Sequence, residues 1–492
     1  MKLVLIVLAC SLCCFGKSEK IMKKELNIFL AESDLAPYHI HSPGNILANI
    51  NLMVLGQLIK SKDGFELEPD ILEKFYYDFN TDTYLLKLRK GLVFHNGRKA
   101  TSKDLEFSLV RGFYSSDRSF FHTYLGNILG VRRIKKGDTF VSGAIEGIKV
   151  IDELTLKVKL VGPNPSFFHS LTAPYFSLVP REELKNDYLS WKDVPIGVGN
   201  YKVKSGFDGT KTVLEGYKKN AAFEIVTLYS KLKDNVSYDI SFERINDYKT
   251  YYSRLPICVR LLEFSNKHPL SQDKRFKLVI KELIRQVDFE DNTKLATKTS
   301  DLLPSHFWGR VENNDKKFDL EKNLKELELK KLDVIVYSGS KLNDKHLFYI
   351  SKLKKLFKKY KIELNFIPNQ EKFVSSSTAS QYPLRFQGIV SDYVDPLIMF
   401  SAYRKIGHNL HFSPSDELID KYENLYLNAE NSKTFEQRLK SVRELNTYSK
   451  DIVLNVPIAE EKMIYYINRK TVKSLGKQVN PLTINIQNIE VN

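Results

Sequence analysis

Tryptophan occurs twice in 492 residues, methionine five times and cysteine four times. Three of those cysteines, Cys10, Cys13 and Cys14, sit at the extreme N-terminus, so Cys258 stands alone in the body of the chain. One thiol can form neither an internal disulfide nor a thiolate metal cluster, and within Leu255-Pro256-Ile257-Cys258-Val259 it reads as a small buried apolar side chain. Long apolar runs are missing as well: beyond Gly16 no segment approaches the roughly 20 residues that a membrane-spanning helix needs. GxSxG, HExxH and GxxxxGK[ST] do not occur, which removes three common signatures of catalysis and phosphate binding. His408 and His411, and His39 and His41, form close pairs without an evident third ligand, so no metal, no cofactor and no enzymatic activity are expected.

What is present is ordinary for a globular chain: 42% hydrophobic and 27% charged residues. The length asks for two to four domains or one very large one. Lysine and arginine number 75 against 59 acids, giving +16. Nucleic-acid binding would cluster that excess among aromatic residues; here lysine is spread over the whole chain, so the charge reads as a solvated basic surface and no nucleic-acid partner is expected.

Met1 and Lys2 precede an uncharged, mostly apolar stretch from Leu3 to Gly16, and Lys17 to Lys20 restore polarity. This is too short to span a bilayer but fits a secretory signal peptide over residues 1–16. Val7-Leu8-Ala9-Cys10 resembles a lipoprotein cleavage box, which makes Cys10 the lipidation candidate and a lipid anchor the only expected membrane attachment. Cleavage at Cys13 or Cys14, or plain secretion after Gly16, are the alternatives.

The body begins with a strand at Leu26–Leu30 and apolar residues at helical spacing over Ile46–Ile59. Tyr84, Leu86 and Leu88 alternate with Leu85, Lys87 and Arg89, and Asn96-Gly97 supplies a turn. Thr101 followed by Asp104 is a capping box ahead of a helix. Leu154 to Leu160 alternates without a break, the mark of a half-buried strand, and Phe167 opens a short helix. Pro195 to Val203 is a glycine-bearing turn feeding a strand, its glycines read as sites of positive φ rather than of ligand approach. Later come a helix at Leu278–Ile284 and a strand at Val334–Tyr337. A Lys-rich helix follows at Leu347–Tyr360, with Leu353, Leu356, Phe357 and Tyr360 on one face, and then a strand at Ile362–Phe366. That βαβ order implies a parallel pair. A strand-rich first half and a βαβ second half together describe a mixed α/β protein of two lobes.

The order of these motifs resembles the extracellular solute-binding proteins of the peptide/nickel class, the oligopeptide- and dipeptide-binding components of ABC importers. Tyr84 to Gly97 followed by Thr101, Asp104, Phe107, Ser108 and Arg111 is similar to that family's strand, hairpin and helix signature. Ile148 to Leu160 with Pro163 and Pro165 is similar to its next strand, and Pro195 to Val203 to its PxGTGPY turn, with Val198 and Asn200 departing. Phe264-Ser265-Asn266 with Pro269, Asp273, Lys274, Arg275 and Phe276 resembles the opening of its second lobe, and Gly388 to Pro396 its DYPDP loop. The resemblance implies a two-lobed periplasmic-binding-protein fold with an extra subdomain in the first lobe. Its boundaries are expected at 25–250 for the first lobe, about 50–165 for the subdomain, 260–450 for the second lobe and 451–492 for a C-terminal return to the first. Two departures stand out: the stretch between Gly216 and Phe264 is short, and Ile389 replaces a frequent tryptophan, so the aromatic floor of the pocket is at least partly rebuilt.

The function implied is capture of a peptide between closing lobes and delivery to an ABC permease, by a monomer in the periplasm or cell envelope. Asp392 matches the family's carboxylate for the peptide α-amino group; its plain alternative is a cap on the turn before Asp395-Pro396. Ser391 and Tyr393 are its candidate neighbours. His41 is a candidate from the first lobe and Arg385 for a ligand carboxylate, against the alternatives of an exposed loop histidine and of a residue with no part in binding. The rival readings are a secreted lipoprotein of this fold acting as an adhesin or binding module, and import of a non-peptide ligand.

Overall fold

The computed structural model describes residues 23–30, 45–62, 66–115, 119–162, 164–206, 210–256, 258–287, 295–312, 318–337, 342, 344–369, 374–391, 393, 395–405, 410–478 and 483–492. Three sheets organise them. The first has seven strands in the order Lys249–Tyr252, Ile464–Ile467, Ile240–Ser241, Lys23–Phe29, Phe223–Tyr229, Lys211–Gly216 and Tyr201–Gly206. Lys23–Phe29 runs parallel to both of its neighbours, and the outer pairs are antiparallel. The second sheet has six strands in the order Ala296–Lys298, Asn455–Glu461, Cys258–Phe264, Leu384–Val390, Lys331–Tyr337 and Glu363–Asn369. The third, of four antiparallel strands, joins Leu72–Asp78, Thr83–Leu88, Thr155–Val158 and Ile148–Val150.

The expected βαβ unit is present: Lys331–Tyr337 and Glu363–Asn369 pair in parallel on either side of the helix Asp344–Lys359. That helix buries Tyr349, Leu353, Leu356 and Phe357 and turns Lys354, Lys355, Lys358 and Lys359 to water. Helix Lys274–Arg285 follows the same rule more strictly, with Phe276, Val279, Ile280, Leu283 and Ile284 buried at i, i+3, i+4, i+7 and i+8. Asp273 caps it, accepting from the backbone N–H of Arg275 at 2.7 Å. Strand Cys258–Phe264 is buried along its whole length and serves two cores by alternation: Val259 and Leu261 join the larger cluster, Leu262 and Phe264 the one beneath the two helices. Cys258 is buried and in no disulfide among the described residues. The capping box at Thr101 and Asp104 opens the helix Ser102–Val110.

Two local readings change. Ile46–Ile59 is not one helix: Asn45–Ile50 passes into a wide five-residue turn of π-helix at Asn51–Leu55, stopped by Gly56 at φ 80°, and Ile59 already belongs to a strand. Gly197 and Gly199 do not have positive φ. They are small because the chain passes against that wide turn: a Cβ on Gly197 would stand 2.3 Å from the carbonyl oxygen of Val54, and one on Gly199 2.3 Å from that of Met53.

Two neighbouring segments carry the chain between the large sheets. Lys249–Tyr252 pairs with Ile464–Ile467 in the first sheet, and their continuations, Cys258–Phe264 and Asn455–Glu461, pair in the second. The C-terminal part expected to return to the first lobe from residue 451 therefore divides: Asn455–Glu461 stays in the second sheet and the crossing falls at residues 462–463. Ser253 N–H donates to the Met463 carbonyl and Met463 N–H to the Ser253 hydroxyl, both at 2.9 Å, tying the two crossings together. Among the described residues no helix is long and apolar enough to cross a membrane.

Candidate ligand-binding cleft

Where residues of the two lobes face each other there is a cavity of about 910 Å³, near the top of the roughly 300–1,000 Å³ range of small-ligand sites. Its first-lobe wall is built on the wide turn and the chain that packs on it. Gly199 N–H donates to the Val54 carbonyl at 2.8 Å, and His95 clamps the same stretch from the other side. His95 Nδ1 accepts from Gly197 N–H at 3.4 Å while its Nε2 lies 3.2 Å from the Gly199 carbonyl, so one neutral tautomer serves both contacts. Burial pushes this imidazole down to about 4, so it carries no charge at neutral pH.

The hairpin of Ile59–Ser61 and Leu67–Pro69 extends the wall and brings Lys60, Lys62, Glu68 and Asp70 to the cavity. Arg89, Lys218 and the C-terminal stretch around Lys477 and Ile484–Asn488 complete it. The C-terminal stretch is held there by named bonds: Ile484 N–H donates to Asn49 Oδ1 at 2.8 Å and the Tyr251 hydroxyl to the Gly476 carbonyl at 2.7 Å. From the second lobe come His306, Phe307, Ser391 and Tyr393, and from the crossing Leu255. Burial pushes His306 down to about 4, with Arg310 adding to it, so it too is neutral. Aromatic lining comes from Tyr201, Phe307 and Tyr393 and includes neither tryptophan.

Ser391 and Tyr393 are thus brought together at the cavity as the loop motif suggested. The Ser391 hydroxyl donates to the Tyr393 carbonyl, and the Tyr393 ring packs 5.4 Å from that of Tyr124, a residue of the first lobe. Asp395 anchors this loop: it accepts from Leu397 N–H at 3.0 Å, capping the helix Pro396–Ser401, and pairs with buried Arg438 at 2.7 Å. Asp392 and His41 lie outside the described residues, as does Cys10.

Arg385 is corrected. It does not line the cavity; it is 5% exposed in the second sheet, directly opposite Glu263. Its Nε donates to Glu263 Oε2 at 2.6 Å, its guanidinium lies over the Phe412 ring at 3.9 Å, and the same carboxylate accepts from Gln387 at 2.7 Å and Tyr403 at 2.7 Å. A cation so enclosed serves the core. Sequence reasoning passed over Lys60, Arg89, Lys218, His306 and Lys477, because nothing but the fold brings them to one wall.

Comparison with known proteins places this architecture. A family model described as bacterial extracellular solute-binding proteins, family 5 Middle, matches residues 66–228. The chain is 27% identical over 164 residues to the periplasmic oligopeptide-binding protein OppA of Escherichia coli strain K12, covering 32% of this chain and 30% of that protein. It is 26% identical over 183 residues to the oligopeptide-binding protein OppA of Bacillus subtilis strain 168, covering 36% and 32%. These sequence matches span about a third of the length of the curated relatives. In fold the likeness is longer. DppA from Helicobacter pylori in complex with peptide STSA superposes with a TM-score of 0.73 at 17% identity, over 96% of this chain and 99% of that one. The Haemophilus influenzae OppA complex with RPPGFSPFR superposes with a TM-score of 0.74 at 16% identity, over 95% and 99%. The fold is the two-lobed periplasmic-binding-protein fold, and residues 66–228, about a third of the chain, match the family 5 solute-binding model.

Proposed function

We propose that this chain is the substrate-binding component of an ABC importer, which captures a peptide between its two lobes and hands it to a membrane permease. The observation that supports this most directly is the 910 Å³ cavity lined from both lobes, with Ser391 and Tyr393 on one side and the Lys60–Asp70 hairpin on the other. A ligand that touches both walls favours the closed arrangement by its difference in affinity for the two states. In this reading Asp392, flanked by the two cavity residues, receives the peptide α-amino group, and His41 contributes from the first lobe. Loss of one partner of such a desolvated charge pair costs roughly 2–5 kcal/mol.

The lobes would divide at 25–250 and 260–450, with a subdomain at about 50–165 around the four-stranded sheet. The signal peptide would be cut before Cys10, which would then carry a lipid at the mature N-terminus and hold a monomer at the outer face of the membrane; mass spectrometry of the mature N-terminus tests the cleavage and the lipid.

The decisive experiment is a thermal-shift screen with di- to oligopeptides. A peptide present at 100 times its Kd should stabilise the folded protein by about 2.7 kcal/mol. Asp392→Ala should greatly reduce the shift with free-amine peptides, and N-acetylation of the peptide should do the same to the unaltered protein. No shift with any peptide would reject this function; undiminished affinity in Asp392→Ala would reject that residue's role alone.

A further inference from the structure

The charge of the cavity is one-sided. Among the described residues five cationic side chains reach it, Lys60, Lys62, Arg89, Lys218 and Lys477, against two carboxylates, Glu68 and Asp70. All seven belong to the first-lobe wall and the C-terminal stretch.

The two carboxylates do not balance the cations. Asp70 pairs with Lys60 at 2.8 Å. Its charge also acts on Lys218, so one acid serves two ammonium groups. Glu68 sits across the hairpin from Lys60 and is exposed. Lys62 is engaged with Glu66 at 3.0 Å at the rim. Arg89 spends its guanidinium on backbone carbonyls, those of Pro69 at 3.4 Å and of Asp70.

Lys218 is the sharpest case. It is half-buried, and among the described residues its Nζ has a single hydrogen-bond acceptor, the Val198 carbonyl at 2.5 Å, leaving two of its three N–H donors for the cavity. Burial pulls its pKa down and Asp70 opposes this, the signature of an ammonium short of negative charge. Lys477, on the C-terminal stretch that lines the same cavity, is exposed and has no ion pair among the described residues.

A zwitterionic peptide brings no net charge to such a wall, and a basic one is repelled by it. We propose that the cleft selects peptides of net negative charge, with Asp or Glu side chains held by Lys218 and Lys477 in addition to any contact made by the terminal carboxylate. This rests on the peptide reading above and sharpens it to a substrate class. It also relocates the meaning of the basic composition: the part that bears on binding is the few cations at this wall.

The test uses the whole mature protein and three tetrapeptides of one length, Ala-Glu-Glu-Ala, Ala-Ala-Ala-Ala and Ala-Lys-Lys-Ala, each also as its C-terminal amide, titrated calorimetrically at low and high salt. The acidic peptide should bind at least about tenfold more tightly than the neutral one at low salt, keep that lead as the amide, and lose much of it at about 1 M salt, where the screening length falls to about 3 Å. In Lys218→Gln/Lys477→Gln the ratio of acidic to neutral affinity should fall to within about threefold. Equal affinity for acidic and neutral peptides, or preference for the basic one, overturns the charge selection while leaving peptide capture standing. An advantage that vanishes on amidation assigns the wall to the terminal carboxylate and overturns the side-chain preference. Binding of none of the peptides overturns both readings. The wild-type series decides the question even if the double variant fails to fold.

Discussion

Replacing Arg385 by methionine separates a structural cation from a ligand-binding one. Glu263 is fully buried and Arg385 nearly so. Taking away the guanidinium leaves a carboxylate that water cannot reach, and breaking such a pair by removing one partner costs about 3–5 kcal/mol. The lower end applies here, because Glu263 keeps the hydrogen bonds from Tyr403 and Gln387, each at 2.7 Å, and methionine restores part of the contact with Phe412. The expected loss is therefore about 3 kcal/mol. Glu263→Gln on top of Arg385→Met removes the stranded charge while keeping an acceptor for Tyr403, so the double variant should recover to within about 1 kcal/mol of the parent, as neutral replacement of buried pairs commonly does. Urea denaturation of the four proteins of this cycle gives the coupling energy, and peptide titration on the same samples gives the affinity, which should change less than about twofold. Loss of peptide binding with stability untouched would refute the assignment of Arg385 to the core. So would a double variant no more stable than Arg385→Met, because the destabilisation would then have nothing to do with an uncompensated charge.

His95 has its folded pKa pushed down to about 4, below the 6.5 of the unfolded chain; the stability it confers is complete above pH 6.5 and is lost as pH falls toward 4. The loss should approach about 1.4 kcal/mol per pH unit in that window, and His95→Gln should flatten the urea midpoint against pH. Gly199→Ala forces a methyl to within 2.3 Å of the Met53 carbonyl; it should cost about 1–3 kcal/mol and weaken peptide binding through the displaced wall, whereas Gly137→Ala, with open space around it but φ 86°, should cost only about 1–2 kcal/mol and leave binding alone. Arg132→Ala removes the 2.6 Å pair with Glu430 that joins the first lobe to the second; with Arg132 partly exposed the pair is worth at most about 1 kcal/mol, so small-angle scattering of the free protein should show a shift toward the open form and peptide affinity should fall about fivefold or less.

The fold was largely legible because its signals are local. Alternation at Leu154–Leu160 located the strand Thr155–Val158, and the apolar stripe of Leu353, Leu356 and Phe357 located the helix between two parallel strands. Ile46–Ile59 misled because the wide turn at Asn51–Leu55 is buried on nearly all sides, so its apolar spacing carries no information about where the helix stops. Gly197 and Gly199 misled because close approach of two backbones and positive φ both demand glycine, and only the partner chain at Met53–Val54 distinguishes them. Arg385 was invisible as a core residue because its acid lies 122 positions away. The basic wall was invisible for the same reason: Lys60, Lys218 and Lys477 become neighbours only through the packing of the hairpin, the first sheet and the C-terminal stretch.

The chemistry at the crossing between the lobes says where closure must bend. On the second-lobe side, Arg260 and Glu461 form a buried two-pronged pair, both bonds at 3.0 Å, three residues or fewer from the crossing. The guanidinium also lies 5.8 Å from the Tyr349 ring centroid and 5.5 Å from that of Phe386. Sliding one of these strands past the other would separate that pair at a cost of about 3–5 kcal/mol, so their register is fixed. On the first-lobe side the reciprocal bonds of Ser253 and Met463 hold the two chains together. The described residues left outside these two sets of contacts are 254–256 and 462, and rotation of the lobes is expected there. Leu255 lies within the first of these segments and also lines the cavity, so a ligand packed against it touches a segment where the backbone is expected to turn when the cleft closes. A bulky or branched substitution at Leu255 should alter the opening and closing rates as well as the fit of the ligand, and a change in peptide on-rate larger than the change in affinity would distinguish the hinge effect from simple loss of contact.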